Sequence, residues 1–210
     1  FRSRTDVLLG KVAGRTAGIA GPVTVACLLL GGIGLVDHGV FNPVLFLGMI
    51  VITLAYVGVL VSIGTAVSAV AKRTVTAAGT VFGVIFLPLV LFWTQISTAI
   101  FTQVTGTPVN PYEPPASGPL FFLLRLSPDG AYRVVSNWLL GVGNSANTYS
   151  HVLTKLEPQT QTNAYVVEAT FAPGTAPLYL HEAVGLLVLL VWAVVPLGFA
   201  RYYFSRGDAV

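Results

Sequence analysis

The chain has 210 residues, 54% of them hydrophobic and only 9% charged, with a mean hydropathy of +0.79. Soluble globular domains carry about a quarter charged residues, so a soluble fold is excluded. The net charge of +3 does not point to a nucleic-acid partner, because eight of the eleven basic residues flank long apolar runs, the placement that sets membrane topology.

The chain opens on a polar entry segment, residues 1–15. Ser3 and Asp6 stand three apart, as in a short capping box, and Arg4, Lys11 and Arg15 fall within ~40° on a 3.6-residue wheel. Such a basic stripe meets either phospholipid headgroups or a protein partner. Four apolar runs follow, at residues 16–36, 43–71, 75–101 and 180–204. Each is long enough, at ~1.5 Å rise per residue, to cross a ~30 Å hydrocarbon layer as a helix. The fold class expected is therefore all-α, a polytopic transmembrane helix bundle forming a single permease-like domain over 1–210.

Charge orients the runs. Arg2, Arg4, Lys11 and Arg15 precede the first, Lys72 and Arg73 join the second to the third, and Arg201 and Arg206 follow the fourth. The positive-inside rule places all of these, and both ends of the chain including the 205–210 tail, in the cytoplasm. Residues 37–42 and 72–74 are tight turns, whereas 102–179 is a long extracytoplasmic segment carrying short interfacial helices. Within it, 107–119 is proline-rich and extended. Residues 120–126 are apolar except for Arg125, and Ser127-Pro128-Asp129 supplies an N-cap, a first-turn proline and a first-turn acid. Ala131, Val134, Val135, Trp138 and Leu139 then recur on one helical face. That helix either lies on the outer leaflet or caps the bundle, or it packs on its own loop.

Small residues recur every fourth position at Gly10, Gly14 and Gly18, at Gly58, Ser62 and Ala66, and at Gly79 and Gly83, a spacing that lets membrane helices approach closely, within a bundle or across a dimer. Pro22, Pro88 and Pro196 each predict a kink. Tyr56, Thr65 and Ser68 on the second run, and Thr94, Gln95 and Thr98 on the third, are candidate path-lining residues. Their hydroxyls can equally bond back to their own helices.

Catalytic and ligand-binding motifs do not form. His181-Glu182 lacks the second histidine of a zinc-protease helix, and Gly10-Lys11 lacks the glycine and hydroxyl of a phosphate loop, at Thr5 and Val12. No Gly-x-Ser-x-Gly elbow or paired intramembrane carboxylates occur, and Cys27 is the one cysteine. No catalytic, cofactor or metal site is expected in this chain.

The run Ser3-Arg4-Thr5-Asp6-Val7-Leu8-Leu9-Gly10-Lys11 leading into a membrane helix resembles the segment before the third span of type-2 ATP-binding-cassette (ABC) permeases, in particular the group that includes the nitrous-oxide reductase accessory permease. The tail Phe204-Ser205-Arg206-Gly207-Asp208 and the Leu126-Ser127-Pro128 start of an amphipathic helix are similar to that family as well. The family has six spans, so the resemblance implies that these four are its last four and that an N-terminal stretch is missing. The opening at Phe1 and the lone Met49, deep in the second run, agree with that expectation.

The resemblance further implies a plasma-membrane exporter subunit, present as a homodimer or pseudo-dimer surrounded by lipid, in a prokaryotic cell. A cytoplasmic ABC ATPase would hold ATP and Mg. Phe1, Arg2, Ser3, Arg4, Thr5, Asp6 and Lys11, with the Lys72-Arg73 turn, would form its coupling region. Two rival readings stand beside this. One is a non-transporting scaffold that binds an extracytoplasmic partner through 102–179. The other is a secondary transporter, for which the expected intramembrane acids are lacking.

Overall fold

The computed structural model describes residues 4–39, 42–71, 74–147 and 165–206. Among them the secondary structure is helical, with one isolated antiparallel bridge between Ser145 and Val166. Helices α1 (Arg4–His38) and α2 (Pro43–Val70) are long and unbroken. Then come α3 (Thr74–Thr80), a π-type segment (Val81–Leu91), α4 (Trp93–Thr105), α5 (Gly118–Leu124), α6 (Pro128–Leu140), the one-turn α7 (Val167–Thr170), a 3-10 turn (Leu178–Leu180) and α8 (Ala183–Arg206). Three stretches are long and apolar enough to cross a membrane, Asp6–Asp37, Pro43–Val70 and Ala183–Tyr203. A fourth exists if the bent pair Val75–Leu91 and Trp93–Thr105 is one span. The all-α membrane bundle expected from composition is what the chain forms.

The helices extend as they do because lipid offers no partner for a free backbone group, so only continuous internal hydrogen bonding is tolerated. Asn42 starts α2 by accepting from the N–H groups of Val44 and Leu45 at 2.9 and 3.3 Å, with Pro43 at the first helical position, where no donor is needed. At the other end the Ala71 N–H closes on Val67 O.

The third apolar run departs from a single kinked helix. Pro88 has no N–H, and in α geometry its ring would collide with the carbonyl of residue 84. From Val81 to Leu91 the backbone instead takes the wider i→i+5 pattern, which ends with the Phe92 N–H on Leu87 O at 2.9 Å. Phe92 leaves helical geometry (φ −111°, ψ 10°), and the chain turns by 73° into α4. The break thus falls four residues beyond the proline.

Contacts cluster into two compact units, residues Phe1–Val84 with Leu190–Val210, and residues Ile85–Leu189. In the first, α1 and α2 pack side by side. A Cβ on Gly31 would run into the Phe46 ring, so the close approach there requires glycine. A Cβ on Gly10, Gly14 or Gly18 would meet nothing among the described residues, whereas the Gly58, Ser62 and Ala66 stripe is used, with a Cβ on Gly58 in van der Waals range of Thr16 on α1 and Ser62 and Ala66 buried. Leu8, Ala66 and Ala200 form a small buried cluster with Ala69 and Leu197 against it. The apolar side chains of α1 are otherwise exposed, which suits a lipid or partner surface.

The second unit has the larger core, built from Phe101, Leu120, Phe121, Leu124, Tyr165, Val167 and Leu180. Phe121 meets Tyr165 and Phe171 edge to face. Helix α6 runs as its capping signal predicts: Ser127 Oγ accepts the Gly130 N–H at 2.9 Å, Asp129 pairs with Arg133 at 2.8 Å, and Gly141 ends the helix at φ 63°. Its apolar face, Ala131, Val134 and Val135, is buried and lies against Gly185 in the first turn of α8, where a Cβ would run into the Val135 side chain and the Ala131 carbonyl.

Two stability outcomes follow. Asn42→Ala removes the α2 cap and lowers unfolding free energy by about 1 kcal/mol. Gly130→Ala drives a Cβ into the Leu124 carbonyl, a backbone group that cannot swing aside, and costs about 1–3 kcal/mol. Thermal unfolding of the two variants in the same lipid, followed by tryptophan fluorescence, measures both, with the larger fall for Gly130→Ala.

Candidate functional site

The coupling residues expected from sequence lie at the edge of what is described. Phe1, Arg2, Ser3, Lys72 and Arg73 fall outside the described residues. Arg4 and Thr5 belong to the first turn of α1, and Asp6 and Lys11 are exposed on the same helix. Arg15, one turn further, donates from Nη1 to Thr65 Oγ1 at 3.3 Å, which ties the basic stripe of α1 to α2.

The candidate path-lining residues divide between the units. On α2, Thr65 is buried and accepts that bond, Tyr56 is half-buried about 180° around the helix from it, and Ser68 is exposed with its hydroxyl donated to Gly64 O. On α4, Thr98 donates to its own helix at Thr94 O and Gln95 O, both 3.0 Å; Thr94 is half-buried and Gln95 exposed. The inward stripe of α4 is instead Trp93, Ser97 and Phe101, at i, i+4 and i+8. Trp93 Nε1 and Ser97 Oγ both donate to Leu123 O, at 2.8 and 3.4 Å.

The densest polar chemistry was not singled out from sequence. Arg125, 1% exposed, sits just after α5 and is held by three acceptors. Its Nε donates to Phe121 O at 3.2 Å, Nη1 to Leu180 O at 2.6 Å and Nη2 to Asn144 Oδ1 at 3.0 Å. Asn144 returns Nδ2 to the same Leu180 carbonyl at 2.6 Å, so both lone pairs of that oxygen are used. The Asn144 backbone N–H donates to the Glu168 carboxylate (2.9 Å to Oε2), and its carbonyl accepts from Val167 N.

This node joins α5, the loop after α6, α7 and the turn that enters α8. Burial pushes the Arg125 guanidinium down to about 10, while the charges of Glu182 and then Glu168 pull it back up. It stays cationic at neutral pH. Beside it, Ser145 Oγ donates to Tyr165 O and Asn137 Nδ2 donates to Ser145 O, both at 2.8 Å. Burial also raises the Tyr165 phenol. The one sequence signal for the node was a lone arginine inside an apolar heptad.

A cavity of about 410 Å³ opens next to this node, lined by Asn144, Glu168, Phe171, Leu178, His181 and Glu182 among others. His181 Nδ1 accepts the Ala183 N–H at 3.1 Å and stands 3.7 Å from Glu182 Oε2, too far for a hydrogen bond. The His181 ring stands edge-on to Trp138. Among the described residues, no three His, Cys, Asp or Glu side chains come together as a metal site would need.

Residues 2–209 match the family model described as ABC-2 family transporter protein. The chain belongs to the ABC-2 transporter family. No curated protein and no solved structure matches it significantly. Membership covers nearly the whole sequence, so this ABC-2 chain is a permease component of an ABC transporter, a multi-pass membrane protein whose family implies an ATPase partner.

Arg125→Met leaves Asn144 Oδ1 and Phe121 O without their donor and lowers stability by about 1–3 kcal/mol. Arg125→Lys does not restore it, because an ammonium lacks the planar fork that reaches three acceptors at once. Unfolding midpoints of the two variants test this, and a Lys variant as stable as the wild type contradicts it.

Proposed function

We propose that this permease is the moving, non-catalytic part of an ATP-driven exporter in the plasma membrane, working as a homodimer or pseudo-dimer. The observation that carries the reading is the family match over residues 2–209, joined to helices apolar enough to cross the bilayer. ATP and Mg bind on a separate cytoplasmic ATPase. The chain crosses four times near 16–36, 43–71, 75–101 and 180–204. Both ends lie in the cytoplasm and residues 102–179 lie outside; the distribution of Lys and Arg supports this orientation.

The ATPase contacts the entry of α1, Phe1 to Asp6 with Lys11, and the Lys72-Arg73 turn. The Arg15–Thr65 bond lets α1 and α2 respond together to a push on that side. Nucleotide-driven closure of the ATPases then biases the wide segment and the break at Phe92 between two packings, inward-facing and outward-facing. Widened helical turns of this type occur often at functional sites. Within their own units, Thr65 and Ser68 on one face of α2, Tyr56 on its opposite face, and Thr94, Gln95 and Thr98 on α4 are candidate acceptors for substrate; the hydroxyls that donate to their own helices still accept.

The test is co-expression with the cognate ATPase and reconstitution in proteoliposomes. The ATPase co-purifies with the permease, and its hydrolysis rate depends on the permease. Joint reversal by Lys72→Glu and Arg73→Glu cuts that stimulation by about tenfold, the loss of one or two charge-assisted contacts, without changing the unfolding midpoint. A permease that recruits no ATPase, or stimulation untouched by the reversal, contradicts the proposal.

A further inference from the structure

The cavity beside the Arg125 node combines two properties that seldom share one wall. Phe171, Pro173, Pro177 and Leu178 give its lining apolar surface, and Leu178 is 91% exposed. Glu168 and Glu182 add two carboxylates to the same lining. Its volume of about 410 Å³ falls in the range of small-molecule sites, roughly 300–1,000 Å³.

Among the described residues, Arg125 behind the wall supplies one positive charge against the two carboxylates, whose fields act on it. Glu168 spends both oxygens on a single backbone N–H and keeps lone pairs for further donors. Glu182 Oε2 stands 3.7 Å from His181 Nδ1, beyond hydrogen-bond distance. Among the described residues the two carboxylates thus keep acceptor capacity for further donors.

We propose that this cavity binds an amphiphilic organic ammonium ion, a protonated primary amine on an apolar body. The ammonium group, with three N–H donors, sits against Glu182 and Glu168, and its apolar body lies on Phe171 and Leu178. A hard metal ion fits poorly, since calcium takes six to eight oxygen ligands and no third His, Cys, Asp or Glu joins the set among the described residues. An anion meets two carboxylates, and a neutral ligand gains nothing from their charge. The ammonium arrives either as a small molecule or as the lysine side chain of another protein. The inference does not depend on the direction of transport.

The experiment is calorimetric titration of the intact permease in nanodiscs of zwitterionic lipid. Phenethylammonium is compared with its neutral counterpart 2-phenylethanol, and a lysine-containing peptide with the same peptide acetylated on lysine. Saturable binding of phenethylammonium or of the lysine peptide, at least about tenfold tighter than its neutral counterpart, is the expected result. The tighter binder of the two cations identifies the source. Glu182→Gln, which keeps shape and removes charge, weakens that binding by about tenfold or more.

Because Glu182 also supports the charge of Arg125, the unfolding midpoint of the variant is measured alongside. The wild-type comparison of cation with neutral analogue stands whatever that midpoint is. Equal heats for charged and neutral ligands, no saturable binding of either cation, or unchanged binding in a folded Glu182→Gln variant overturns the proposal.

Discussion

Backbone hydrogen bonding in a solvent that offers no partners is the constraint on which this structure rests. Helices α1, α2 and α8 meet it by running without a break through their apolar stretches. The third run cannot do so in the same way, because Pro88 lacks a donor and crowds the turn before it. Its backbone widens over Val81–Leu91 and then releases at Phe92, where the next helix departs at 73°. The Trp93 ring N–H and the Ser97 hydroxyl both reach Leu123 O, which fastens the start of α4 to α5 just past the release. A local backbone problem thus becomes the most sharply bent point of an otherwise regular helical protein.

A second consequence of the same physics is the Arg125 node. A cation at 1% exposure is costly unless each of its directions is matched, and three acceptors from three parts of the chain match it here. Two of those acceptors, Leu180 O and Asn144 Oδ1, lie beyond α6 in the chain, so the unit closes only when its ends meet. The Leu180 carbonyl sits immediately before His181 and Glu182, which lead into α8. The node therefore fixes the approach to the last membrane helix, and it lies against the cavity whose carboxylates act on its charge.

The parts of this architecture legible in the sequence are those written in local signals. Apolar length predicted α1, α2 and α8, and Ser127-Pro128-Asp129 predicted the start of α6. The break at Phe92 was not legible, although Pro88 was visible, because hydropathy does not distinguish an α turn from a wider one. Nor does it reveal which carbonyl a tryptophan ring will seek. The glycine spacing in α1 suggested close packing, yet Gly10, Gly14 and Gly18 meet nothing among the described residues, whereas Gly31, outside that pattern, sits against the Phe46 ring. The node was least legible of all, since Arg125 is 19 residues from Asn144 and 55 from Leu180, and no periodicity connects them.

Taken together, a permease of the ABC-2 family has its membrane helices, a bent third run and a helical unit with a carboxylate-lined cavity, and its family implies an ATPase partner. The central claim of the proposed function is that nucleotide-driven closure of that partner acts at the bend at Phe92. The most direct measurement places spin labels at Val75→Cys and Val104→Cys, both exposed positions on either side of the bend, in a Cys27→Ser background. Pulsed electron–electron resonance then reads their separation in the complex with its ATPase, without nucleotide and with vanadate-trapped ATP. The account predicts two distinct distance distributions. A single distribution, unchanged by trapping while the same sample hydrolyses ATP, contradicts it.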